Sequence, residues 1–146
     1  ASWGHLSESP LEVDAPVGRD PANRQRMAVV EGGRAAVTHF RVVERWPGAE
    51  LLEVALETGR THQIRVHLRA IGHPILCDFL YGRESTLELS RWDDDAPAAT
   101  LQRHALHAWR LHFRHPGSQQ PLQFEAPLPA DLKPWWEAAR PLDSDR

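Results

Sequence analysis

From Leu56 to Gly82 the chain reads LETGRTHQIRVHLRAIGHPILCDFLYG, a segment in which an extended stretch ends, a glycine turn follows, and a short helix starts and stops. Thr58-Gly59 breaks the extended stretch and Thr61 stands where a helix cap is preferred. Gly72-His73-Pro74 then ends the helix, because glycine accepts the left-handed turn after a helix and proline does not continue one. With about 100° of rotation per residue, a helix over residues 61–71 gathers Ile64, Leu68 and Ile71 on one side and His62, Arg65 and Arg69 on another. Gly59 and Arg60 lie just ahead of it, where unpaired N–H groups and the positive end of the helix dipole favour an anion. The spacing allows two readings: an amphipathic helix with a solvated cationic face, or a corner that holds a carboxylate or a phosphate.

The flanking sequence predicts mostly strands. Leu11, Val13 and Ala15 alternate with Glu12 and Asp14, and a polar loop from Arg19 to Arg26 follows. After the Gly32-Gly33 turn, Ala35 to Trp46 alternates as a strand, Pro47-Gly48 reverses the chain, and Leu51 to Leu56 returns as the second arm of an antiparallel hairpin. That arm delivers the chain to Gly59 and places the basic helix at a sheet edge or cleft mouth. Residues 84–100 are polar and acidic and read as a surface loop with a helical turn around Leu87. A second hairpin is expected from Leu106 to Phe113 and back through Leu122 and Phe124, and a last helix from Pro129 to Ala139 with Asp131 in its first turn. Residues 1–10 have no clear period. The class is α+β, a mostly antiparallel sheet with flanking helices, in a single unit spanning 1–146.

Net charge is −3, which argues against a uniformly basic nucleic-acid binder, but the charge is unevenly spread. Val17 to Trp46 holds six arginines against three acids, Arg60 to Arg83 four against one, and Glu84 to Thr100 five acids against Arg91. The basic segments suit phosphate contact. With one cysteine there is no internal disulfide, no apolar run approaches a membrane span, and no signal-peptide pattern is present, so the cytoplasm is the default compartment. His62 and His67 stand five apart on different helix faces, and neither an HExxH pattern nor a Gly-x-Ser-x-Gly elbow occurs, so no metal site or serine-hydrolase site is predicted.

The string Glu57 to Leu68, with Gly72-His73-Pro74-Ile75-Leu76 and Asp78 to Gly82, closely resembles the late motif of the RluA-type pseudouridine synthases. Pro16 to Pro21 with Arg26-Met27, Ala36 to Phe40, Leu106-His107-Ala108 and Ala126 to Pro129 resemble other segments of that family. The likeness covers nearly the whole chain but only the later part of the family's catalytic domain. No HRLD-type segment, where the family carries its catalytic aspartate, occurs in the chain, and Tyr81 belongs to the later LYG motif, not to the family's active-site tyrosine segment. Cys77 stands where the family pattern usually has glycine.

The resemblance implies isomerisation of uridine to pseudouridine in ribosomal or transfer RNA, with no cofactor. It implies that Arg65 pairs with a catalytic aspartate absent from these residues, supplied by the missing N-terminal part of the same domain, so that the chain alone is inactive. A guanidinium beside a partly buried carboxylate keeps it ionised, lowering its pKa by about 1 to 3 units. Leu106 matches an apolar residue near the uracil, and Arg60, His62 and Gln63 are further substrate-binding candidates that could instead fix the turn. Arg19, Arg24, Arg26 and Arg69 are candidates for the RNA backbone, where phosphate contact needs only charge and reach. A non-catalytic RNA-binding remnant and an unrelated α+β interaction module carried by the tryptophans and the acidic loop are the other readings.

Overall fold

A computed structural model describes residues 1–92, 94–95 and 98–138. Its centre is a four-stranded antiparallel sheet in the order β1-β6-β5-β2, formed by β1 (Ser2–Trp3), β2 (Leu11–Asp14), β5 (Val37–Trp46) and β6 (Ala49–Leu56). Between β2 and β5, a short hairpin of β3 (Val17–Arg19) and β4 (Met27–Val29) carries the arginine-rich loop. The β5–β6 turn falls at Pro47-Gly48, where Gly48 has φ 74, a left-handed value that glycine adopts without a Cβ penalty. A bulge between Val42 and Glu44 breaks the simple alternation of β5. Phe40 and Val42 stay with Leu52 and Val54 in one apolar cluster, while Trp46 joins Ala49 and Leu51 in another.

Helix α1 (Gln63–Ala70) packs Leu68 and Ile64 onto the first cluster and Val66 against Val17, Met27 and Tyr81. Its end forms a Schellman motif: the Gly72 N–H donates to the Arg69 carbonyl at 3.0 Å and the His73 N–H to the Leu68 carbonyl at 2.8 Å, with Gly72 at φ 84. The glycine stop therefore acts as expected. The helix start does not. Thr61 is not the cap; His62 is, in the left-handed region at φ 58, with no side-chain capping bond. Cys77 is also left-handed, at φ 58, which gives a physical reason for glycine at that position in the family pattern.

Residues 1–10 hold more order than their sequence suggests. Ser2 and Trp3 pair with Glu50 and Ala49, and the Trp3 ring stacks on Trp92 with centroids 5.9 Å apart while its Nε1–H donates to Glu84 at 2.6 Å. The expected surface loop at 84–100 is corrected with it: β7 (Leu87–Glu88) pairs with β8 (Thr100–Leu101), and the helical turn lies at Leu89–Arg91. Leu87, Leu89 and Leu101 are buried, Glu84 is half-buried, and the other described acids of this segment, Glu88, Asp94 and Asp95, are exposed. Asp93, Ala96 and Pro97 lie outside the described residues.

The second hairpin, β9 (Arg110–Arg114) with β10 (Pro121–Glu125), starts later than the expected Leu106. It exposes Leu111, Phe113 and Phe124, the two phenylalanines stacked at 5.9 Å. Helix α2 (Lys133–Ala138) starts later than the expected Pro129, its expected end at Ala139 lying outside the described residues, and Asp131 precedes it to take a bidentate bond from Arg103. Trp135 is buried against Trp92, and Trp136 is 43% exposed.

Candidate active site

The Glu57–Gly82 motif folds back on itself so that α1 and the loop after it share one polar cluster. Arg65 is buried. Its Nε donates to Asp78 Oδ2 and its Nη2 to Oδ1, each at 2.7 Å, a bidentate pair with side-chain exposures of 9% and 0%. Asp78 Oδ1 also accepts the N–H groups of Leu80 and Tyr81 at 3.1 and 3.0 Å. The loop closes through the Gly82 N–H to the Asp78 carbonyl, where a Cβ on Gly82 would lie 2.5 Å from that oxygen, so only glycine fits. Burial alone pushes the Asp78 carboxyl up, but the Arg65 and backbone hydrogen bonds outweigh it and hold Asp78 below the ordinary carboxylate value. The hydrogen bond that Arg65 donates to Asp78 in turn raises Arg65.

The cationic face read from spacing is thereby divided: Arg69 is exposed, and Arg65 is a desolvated, paired group. Arg65 already has a partner among these residues, since Asp78 takes two of its donors. Nothing in helical spacing could reveal this, because the partner lies 13 residues along the chain, past the helix stop.

Around this pair stand three groups. The Tyr81 ring lies under the Arg65 guanidinium, 4.9 Å from its carbon to the ring centroid, and the Tyr81 hydroxyl is 2.8 Å from His62 Nδ1. Burial lowers His62, as does the nearby Arg65 charge, with Asp78 opposing. His104, also lowered by burial and then by Arg65, feels the charges of Arg65, Asp78 and His62. Neither Tyr81 nor His104 was a candidate from the sequence.

Gln63 is placed differently from a substrate ligand. Its Oε1 accepts from the Arg60 N–H at 3.0 Å and the Thr58 hydroxyl at 2.8 Å, while its Nε2 donates to the Val37 carbonyl at 3.0 Å and Thr38 Oγ1 at 2.9 Å. Thr38 Oγ1 then meets His67 Nδ1 at 2.8 Å, and His67 Nε2 meets the Ala15 carbonyl at 2.9 Å. Every position on the Gln63 amide is used, and Gln63, Thr38 and His67 are buried. This network fixes the helix to β5. Gln63→Leu is expected to cost about 1 to 3 kcal/mol for each buried partner it orphans, read by urea denaturation, with RNA affinity little changed. Unchanged stability with weakened RNA binding would return Gln63 to the substrate.

The other candidates divide by exposure. Arg60 is half-buried, with Nε donating to the Ala35 carbonyl at 2.9 Å, so it too fixes the turn. Leu106 is half-buried at the edge of the Phe40 cluster, its carbonyl held by Arg103 Nη1 at 3.1 Å. In the β3–β4 loop Arg26 pairs with Asp20 at 3.3 Å and turns inward, whereas Arg19 and Arg24 are exposed and line a shallow depression with Asp20 and Pro21. Among the described residues one His–carboxylate group, Glu12, His39 and Glu57, could approach a cation. Its imidazole faces Glu57 with Nε2 at 2.6 Å and Glu12 with Nδ1 at 3.6 Å, the geometry of an imidazole held between two carboxylates.

The family model for RNA pseudouridylate synthase matches residues 5–70. The ribosomal large subunit pseudouridine synthase D of Nitrosomonas europaea is 52% identical over 130 residues, which is 89% of this chain and 37% of that protein. The chain belongs to the RNA pseudouridylate synthase family. The enzyme of the same description from Xanthomonas campestris is 47% identical over 131 residues, 88% of this chain and 39% of that protein. The solved structure of human RNA pseudouridylate synthase domain containing 1 superposes with a TM-score of 0.68 at 27% identity, covering 99% of this chain and 59% of that one. The chain thus spans well under half the length of these two bacterial synthases, and its α+β architecture is that of a pseudouridylate synthase domain. Among the described residues no helix is long and apolar enough to cross a membrane.

Proposed function

We propose that these residues form the later part of the catalytic domain of an RNA pseudouridine synthase acting on ribosomal RNA, with the nucleophilic aspartate supplied from outside them. The observation that carries the reading is the buried, bidentate Arg65. Its Nη1 has no hydrogen bond among the described residues, which leaves one edge of a rigid guanidinium for a second carboxylate. Because Asp78 already neutralises that charge, Arg65 serves more to orient the nucleophile than to lower its pKa.

The reaction asks for an ionised carboxylate at the ribose, cleavage of the C1′–N1 bond, rotation of the uracil, formation of a C1′–C5 bond with loss of the C5 proton, and gain of a proton at N1. Leu106, half-buried beside the apolar cluster, supports the extruded base, and Arg19, Arg24 and Arg69 meet the RNA backbone. The exposed apolar residues of the β9–β10 hairpin are covered by the remainder of the domain in this reading. Ribosomal RNA is favoured over transfer RNA by the names of the relatives.

The test is to delete the gene that encodes these residues and map pseudouridine in large-subunit ribosomal RNA and in transfer RNA. The expected result is loss at defined ribosomal uridines, restored by the wild-type gene and not by Arg65→Ala. Loss confined to transfer RNA would transfer the assignment to that substrate, and unchanged maps in both would overturn the reading.

A further inference from the structure

His62 is held in an unusual way. It is an exposed, non-glycine residue at φ 58, yet its ring is fixed edge-on to Tyr81, with centroids 5.5 Å apart and planes at 78°. Tyr81 is 3% exposed, and its hydroxyl oxygen accepts the Met27 N–H at 2.9 Å. A phenol has one proton, and the acceptor placed to receive it is His62 Nδ1, 2.8 Å away. Nδ1 is then occupied as an acceptor, so a neutral imidazole carries its proton on Nε2. Tyr81 itself has little freedom, being fixed by Met27 on β4, the Arg65 guanidinium over its ring, and apolar contact with Val66 and Val17.

We infer that Tyr81 is a positioning residue that locks His62 as a neutral donor through Nε2–H, beside Arg65, for an acceptor oxygen of the target nucleotide. The inference rests on the function proposed above and adds a specific recognition contact to it. A neutral, directed donor distinguishes an oriented oxygen where a mobile cation would not. The surrounding charges favour the neutral form: burial and Arg65 lower His62, Asp78 opposes, and His104 stands close enough to feel the same charges. Two oxygens share this chemistry, a phosphate oxygen and a uracil carbonyl.

The test uses the full-length protein with Tyr81→Phe, His62→Ala and the double variant. Nitrogen NMR of the histidines reports the tautomer directly: wild-type His62 is expected to show Nε2–H with Nδ1 accepting, and Tyr81→Phe to give a mixture of tautomers. Each single variant is expected to lower kcat/KM by about three- to tenfold, the effect of one hydrogen bond. The double variant is expected to lose no more than His62→Ala, because both substitutions remove one contact. RNA with a methylphosphonate at the target nucleotide, and RNA with a thiocarbonyl uracil there, separate the two oxygens: the substitution that abolishes the His62→Ala effect names the acceptor. An Nδ1–H tautomer in the wild type, multiplicative losses in the double variant, or a His62→Ala effect that survives both RNA substitutions would overturn the inference. If the protein forms no pseudouridine, the function proposed above fails while the tautomer spectra still decide the lock, and the cycle is read on RNA affinity.

Discussion

Asp78→Asn is expected to lower the stability of the protein by about 3 to 5 kcal/mol, because it keeps the shape of the side chain and leaves the buried Arg65 charge without a counterion. Asp78 is fully buried and Arg65 nearly so, so solvent does little to screen the orphaned guanidinium. Arg65→Met with Asp78→Asn should recover most of the loss, since no uncompensated charge remains. The pair also fixes a pH dependence. The folded Asp78 pKa is depressed below its unfolded value of 3.8, so its stabilisation is present above that value and is lost as pH falls through the folded pKa. Urea denaturation at neutral pH and near pH 3 should therefore show the gap between wild type and Asp78→Asn narrowing in acid. A neutral-pH loss below about 1 kcal/mol, the range of exposed pairs, would mean that the pair is solvated in solution.

A preparation of residues 1–146 alone is expected to form no pseudouridine, at least about 10⁶-fold below the full-length protein, measured as tritium release from RNA labelled at uridine C5. Among the described residues, two of the aspartates that lie in or beside the family-like segments are already engaged by other groups. Asp78 is saturated by Arg65 and two backbone N–H groups, and Asp20 is tied to Arg26 and the Ala22 N–H. Asp14 lies exposed at the end of β2. Turnover by the isolated residues would place the nucleophile among them. In the full-length protein, single-turnover rates at saturating enzyme separate chemistry from binding: Arg65→Ala is expected to abolish the step and Arg65→Lys to keep part of it, the charge surviving without the bidentate fork. Arg69→Ala should leave that rate unchanged and weaken RNA binding modestly, because an exposed cation contributes through counterion release. A normal rate for Arg65→Ala with a reduced one for Arg69→Ala would reverse the two roles.

The sequence was most legible where a local rule had no competitor. The Gly72-His73-Pro74 stop, the Pro47-Gly48 reversal and the β5–β6 hairpin follow from backbone preferences of a few adjacent residues, and the structure has all three. The motif likewise pointed to the family through the order of its side chains alone. The bulge at Val43 was not legible, because an extra residue in a strand shows only against its partner's register. The two-residue strand at Ser2–Trp3 was too short to have a period, and its place comes from Trp3 stacking on Trp92.

In the candidate site, the sequence by itself determined which residue types lie near α1, and the tertiary structure decided what each one does. Gln63 and Arg65 sit two positions apart on one helix, and both are desolvated, yet one is consumed by a structural network and the other keeps a donor edge open. Burial forces every polar group to find a partner, and which partners are within reach is set by β5 and by the loop at Asp78. The fold likewise sets His62 at the helix start and brings it to Tyr81, 19 residues later. Helical spacing fixes the direction in which a side chain leaves the backbone; only the packed chain fixes which donor or acceptor it meets there.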